Sequence, residues 1–276
     1  LPLLAAPDLS RREVRLIERA ARGVASDREI DAALGVLIKL LQTAFDEQVV
    51  LLIDDYDAVC PKRLDAKDYG SMDSLESLSR MLFDTIADAG DLLRLTCLMG
   101  ERPGPAEFAL SQRGVSYRSA TPLSSWCDRW FGFSDDEVQV LLDRIGRNGC
   151  LDDAREWLEG YLFGVFYCSI PERVVDYAHR GCVAPVRTDL YGCADRLSAY
   201  VGDWNLMRLS ALFDLLEPHG FIEASVHVHA EEADAAKPED IWTALYLSGF
   251  LTTDMTGHSE GGVRLRSLRL PNNCLL

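Results

Sequence analysis

Val49-Val50-Leu51-Leu52-Ile53-Asp54-Asp55 carries the strongest fold signal in the chain. Five aliphatic residues, three of them β-branched, run without a polar interruption and end in two acids. A run this short and this apolar predicts a strand rather than a helix. Because odd and even positions are equally apolar, the pattern also predicts burial on both faces, the habit of strands in parallel sheets flanked by helices.

Outward from this strand the texture is helical. Ser10 is placed to cap a helix running through Arg22, with Val14, Leu16, Ile17 and Ala20 on one side. Ser26 or Asp27 opens a second helix, in which Ile30, Ala33, Leu34, Leu37, Ile38 and Leu41 recur at helical spacing. A third helix is expected from about Asp73 to Ala89, followed by a second buried strand from Leu92 to Met99 and a loop from Gly100 to Pro105. Helix, strand, helix, strand is α/β texture.

Beyond Trp126 helices dominate. Ser134-Asp-Asp-Glu137 is a capping box, and further helices fit Leu151–Tyr161, Pro171–His179, Leu190–Tyr200, Asn205–Leu216 and Pro238–Leu247. Phe221–His229 and Val263–Leu270 read as strands. The expected organisation is an α/β core over residues 1–125 and a mainly helical second part, with a few short strands, over residues 126–276.

The chain has 276 residues, with 28 Lys and Arg against 44 Asp and Glu, a formal charge of −16. With 48% hydrophobic residues it has ample material for a core, so wholesale disorder is excluded. A net charge of −16 repels phosphate backbones, so direct nucleic-acid binding is not expected of this acidic chain. The longest aliphatic run is Val49–Ile53, far short of the roughly 20 residues of a spanning helix, so no membrane partner is expected. No secretory signal pattern is visible, and a start at Leu1 reads as part of something larger. The eight cysteines (60, 97, 127, 150, 168, 182, 193 and 274) contain no Cys-x-x-Cys pair. Such thiols read as reduced and mostly core-filling, which favours an intracellular location.

The chemistry with the clearest physical rationale is at Asp54 and Asp55. A rigid strand that ends in acids is the form of a Walker B motif: Asp54 would hold a magnesium ion, and Asp55 would polarise the attacking water. A buried strand followed by an acidic turn has the same pattern. The complementary element, a glycine-rich loop ending in Lys and Ser or Thr, does not occur in these residues; Lys stands only at 39, 62, 67 and 237. Gly100 and Arg102, in the loop after the second strand, are the other candidate nucleotide-binding residues. His227 and His229 alternate on a strand as a metal pair would, but a solvated strand edge explains them better. Arg11, Arg12, Arg15, Arg19 and Arg22, interrupted by Glu13 and Glu18, read as a salt-laced helix surface. No Gly-x-Ser-x-Gly elbow occurs, and no Asp…Glu-x-Lys nuclease triplet.

The order of segments resembles the AAA-ATPase-like family, whose members often carry a C-terminal PD-(D/E)XK nuclease-like domain. The segments that carry it are Val50-Leu-Leu-Ile-Asp-Asp-Tyr-Asp57, Phe131-Gly-Phe-Ser-Asp-Asp-Glu-Val138, Glu156-Trp-Leu-Glu-Gly-Tyr161 with Phe163-Gly164 and Tyr167, Trp242 to Thr252, and Leu270-Pro-Asn-Asn273. They span roughly residues 45–275 in the family's order. The resemblance implies a P-loop NTPase-like parallel sheet core and a helical lid-like subdomain. It implies Asp54 as the magnesium acid and Asp55 where the family has a catalytic Glu, with ATP and magnesium as cofactors if the module is active. Polar positions have drifted, with Met99-Gly100 where the family has Thr-Gly and Ala109 to Arg113 where it has SGLNN.

Two functional expectations follow. One is a degenerate AAA-ATPase-like module that acts as a structural or protein-interaction platform within a larger nuclease-bearing or effector-like protein, in the cytoplasm or in a host cell. The alternative is a fragment of an active magnesium-dependent ATPase whose Walker A lies upstream of residue 1.

Overall fold

The computed structural model describes residues 10–56, 80–100, 109–183, 206–217, 219–228, 241–260 and 263–272. The expected helix at Leu190–Tyr200, the first half of the helix expected from Asp73 and the loop beyond Gly100 lie outside these residues. What is described is a mixed α/β chain in two compact units, Leu1–Arg118 and Ser119–Leu276.

The first unit opens with helix α1, Arg11–Ala21. The Ser10 hydroxyl accepts the Glu13 N–H (3.2 Å) while the Glu13 carboxylate accepts the Ser10 N–H (3.0 Å), so each satisfies a backbone donor that the helix start leaves unpaired. Helix α2, Asp27–Phe45, starts in the same way: the Ser26 N–H donates to the Glu29 carboxylate at 2.8 Å. Arg19 to Glu29 and Lys39 to Glu13, both 2.9 Å, tie the two helices together. The chain then turns through Asp46, in the left-handed region at φ 53°, and enters the decisive strand.

Strand β1, Val49–Ile53, pairs in parallel with β2, Leu93–Leu98, in the register Val50↔Leu95 to Ile53↔Leu98. Helix α3, described over 80–89, and a 3₁₀ turn at Gly90–Leu92 lead into β2. Leu51, Ile53, Leu93 and Leu98 point with Phe83 and Ile86 of α3, Tyr56 and Leu110 into one core. Phe83 meets Tyr56 edge-on, with centroids 6.1 Å apart.

Burial on both faces of this sheet is not what the structure shows. Val50 is 50% exposed, Leu52 64% and Leu95 55%. Strand residues alternate between faces, and the core just described covers only the face that carries Leu51 and Ile53. The other apolar face is open.

In the second unit, α5 (Asp135–Arg144), α6 (Leu151–Leu158) and α7 (Pro171–His179) pack around Val138, Leu142, Ala154, Leu158, Val174 and Tyr177; a short helical turn at 109–112 in the first unit is α4. Ser134 and Glu137 form the expected capping box on α5, and Pro171 sits in the first turn of α7, where its missing N–H costs nothing. The helix expected to reach Tyr161 ends at Leu158 instead. Gly160 turns the chain at φ 122°, and an antiparallel hairpin follows, β3 (Tyr161–Phe163) with β4 (Phe166–Cys168).

Helix α8 (Leu206–Leu216), β5 (Ile222–Ser225), α9 (Ile241–Leu247), β6 (Thr252–Glu260) and β7 (Val263–Arg269) complete the unit. The three strands form an antiparallel sheet in the order β5-β7-β6. Leu215, Leu245, Tyr246, Leu251 and Leu268 fill its core. The second unit begins at Ser119, and the loop at its start is bonded to the hairpin: the Gly164 N–H donates to the Pro122 carbonyl at 2.7 Å.

Candidate functional site

The sheet of the first unit sets where its acids lie. Met99 N–H donates to the Ile53 carbonyl (2.8 Å), and the Tyr56 N–H donates back to the Met99 carbonyl (3.1 Å). The parallel pairing therefore continues past both strands, and Asp54, Asp55, Met99 and Gly100 meet at the carboxyl end of the sheet. Ligands of open α/β sheets bind outside that end. Three of the four candidate site residues read from the sequence, Asp54, Asp55 and Gly100, are thus brought together. Arg102 lies outside the described residues.

Both carboxylates are exposed. One oxygen of Asp54 accepts the N–H of Asp55 at 3.0 Å, a local turn bond typical of Asp. Asp55 itself sits at φ 50°, in the left-handed region that Asp and Asn tolerate better than other residues with a Cβ. Tyr56, immediately after, is buried in the core and anchors the turn.

Magnesium beside a nucleotide needs only one or two carboxylates, the rest of its shell coming from phosphate and water. Asp54 is suited to that part. The phosphate cradle is the missing half of the fit: the 276 residues contain no glycine-rich loop leading into Lys-Ser or Lys-Thr. Among the described residues there is also no group of three or more His, Cys, Asp or Glu side chains able to hold a metal ion by themselves. His227 shares a 3.0 Å hydrogen bond between its Nε2 and the Ser225 hydroxyl, and its backbone N–H donates to Thr243; His229 lies outside the described residues.

The remaining motif segments converge on a second place, the turn between α6 and β3. A side chain at Gly160 would collide with the carbonyl of Pro271. The Asn272 amide donates to the Leu158 carbonyl at 3.3 Å, the Tyr161 hydroxyl to the Gly249 carbonyl at 3.2 Å, and the Leu162 N–H to the Thr252 hydroxyl at 3.0 Å. Close by in sequence, Phe133 and Ser169 exchange both backbone bonds at 2.9 Å, and Phe131 stacks on Phe163 with centroids 4.7 Å apart. A Cβ on Gly132 would strike Cys168 and Ser169. These bonds pin the turn between α6 and β3 to segments toward the end of the chain.

No family model, curated protein or solved structure matches this chain. The site is therefore defined by its own geometry: two exposed acids at the end of a parallel pair, beside an open apolar sheet face. That face was not foreseen, because the run Val49–Ile53 looks the same whether one or both of its faces are covered. Among the described residues no helix is long and apolar enough to cross a membrane. None of the five cysteines described is in a disulfide. Of these, Cys168 is the core-filling kind, and its burial pushes the thiol up to about 12.

Proposed function

We propose that this chain is a degenerate AAA-ATPase-like module that serves as a protein-interaction platform and does not turn over ATP. The observation that carries the proposal is the open face of Val50, Leu52 and Leu95 on a parallel strand pair. Parallel sheets are ordinarily covered on both faces, so an apolar face of this kind is suited to a protein partner. The acids beside it support the same reading. Asp54 and Asp55 keep the strand-end placement of a magnesium acid and its neighbour, without a phosphate cradle in these residues to use them.

The left-handed turn supplies a physical reason for Asp at 55. At φ 50° Asp is better tolerated than the longer Glu, while the turn bond to Asp54 uses only the backbone N–H of residue 55. Retaining the turn while losing the reach of a Glu favours structure over hydrolysis. Drift at Met99, where a thioether stands beside Gly100, points the same way: a weak acceptor replaces a hydroxyl donor.

Phosphate release from ATP in the presence of magnesium tests the proposal. The chain should release phosphate at the buffer rate, with no change in Asp55→Ala. Magnesium-dependent release that falls in Asp55→Ala would restore the ATPase reading and sink the platform.

A further inference from the structure

The open side of the first unit's sheet is a continuous apolar strip. Register places Val50 beside Leu95 and Leu52 beside Cys97, and residues paired across parallel strands point to the same face. Val50, Leu95 and Leu52 are each at least half exposed, and Cys97 is partly exposed. Apolar side chains that adjoin one another in this way mark a contact surface, whereas scattered ones do not. Both ends of the strip are acidic. Asp46 and Glu47 precede β1 and Asp91 precedes β2, all three exposed, and the exposed pair Asp54 and Asp55 follows β1 at the other end. Alternation along β1 puts Asp54 on the side of Val50 and Leu52. Against these acids the two strands carry one cation, Arg94.

Resting on the platform reading above, we propose that this strip receives an amphipathic helix of a partner protein, with an apolar stripe along the strands and Lys or Arg at both ends. Helices are what ordinarily cover the faces of parallel strands. The dimensions agree: the five residues of β1 extend about 16 Å, which a helix of about 11 residues spans. Such a helix sets apolar residues at i, i+3, i+4 and i+7 on one face, enough to cover both strands. Its basic ends then lie over the acids at the two rims of the strip.

The two parts of the strip have different tasks. Burial of Val50, Leu52 and Leu95 supplies the affinity, because apolar area leaves water on both sides of the contact. The rim acids supply the choice of partner: a helix with acidic ends brings like charges onto Asp54 and Asp55 at one rim and onto Asp46, Glu47 and Asp91 at the other. The net charge of −16 works in the same direction at long range, drawing basic segments in and turning acidic ones away.

The probe is a fluorescein-labelled peptide of about 18 residues with Leu at helical spacing and a pair of Lys at each end; a second peptide carries Glu in place of each Lys. Fluorescence anisotropy should show saturable, micromolar binding of the Lys-ended peptide, weakened about tenfold by Leu52→Asp and about threefold by Asp54→Asn combined with Asp55→Asn. Leu52 is exposed, so Leu52→Asp should keep the melting midpoint. The Asn pair keeps the turn, since an Asn side-chain oxygen accepts the same N–H and Asn tolerates φ 50°. Bound peptide should gain helical circular dichroism and slow the alkylation of Cys97, which lies beside Leu52. Equal binding of the Glu-ended peptide would overturn the basic-ended partner and leave the platform standing. Binding that leaves Cys97 alkylation unchanged, or no saturable binding up to about 100 µM, would overturn it as well, whereas magnesium-dependent phosphate release is the result that removes the platform.

Discussion

Replacing Gly160 with Ala probes the joint where the segments of the second unit meet. Two costs follow from the structure. The backbone at φ 122° lies where residues with a Cβ carry roughly 1–3 kcal/mol of strain. The new methyl would also sit on the Pro271 carbonyl, so the chain after β7 must retreat. That retreat breaks the 3.3 Å bond from Asn272 to the Leu158 carbonyl, worth about 1 kcal/mol. Together these put the loss at about 3 kcal/mol, large for a single methyl. The assay is urea unfolding followed by circular dichroism, with Gly146→Ala as the reference. Gly146 also has positive φ, at 73°, but a Cβ there meets nothing within 4 Å. Gly146→Ala should therefore cost about 1 kcal/mol from backbone strain alone, and the excess in Gly160→Ala reports the collision, the lost Asn272 bond and the added strain at φ 122°. Equal losses in both would refute the packing of Pro271 against Gly160.

Three further outcomes are expected. Leu52→Ser should change stability by less than about 1 kcal/mol because the side chain is 64% exposed, whereas Phe83→Ala, 3% exposed, should cost about 3–5 kcal/mol; urea midpoints of both variants check this. Tyr177→Phe should cost about 1–2 kcal/mol by losing its bond to Asp153, with thermal melts as the measurement and an unchanged midpoint as the contrary result. Glu29 is held near 2, below its ordinary 4.5, chiefly by the Ser26 N–H and hydroxyl and then by Arg19. Its contribution is present above pH 4.5 and is lost as pH falls towards 2, so Glu29→Gln should flatten the acid-side fall of the melting midpoint within that window.

Where a local rule decides an element, the residues announce it. Ser10, Ser134 and Pro171 each open a helix where capping chemistry says they should, and Asp54 ends a parallel strand as its run of apolar neighbours implies. The failures have long-range causes. Gly160 stops α6 and starts a hairpin because the chain must pass close to Pro271, more than a hundred residues later; nothing in Glu156-Trp-Leu-Glu-Gly-Tyr161 distinguishes this from a helix that runs on. Thr252–Glu260 alternates too weakly to read as a strand, and it becomes one by pairing with β7. At the strand end Asp54, Asp55 and Gly100 share one rim because parallel register carries adjacent strand ends to the same side.

The proposal that this chain is a platform and not an ATPase is put at risk by titration calorimetry with ATP and magnesium. If it holds, no binding heat appears at micromolar concentrations, because two exposed acids and a glycine at a sheet rim offer no phosphate cradle. Stoichiometric, magnesium-dependent binding that disappears in Asp54→Ala would contradict it.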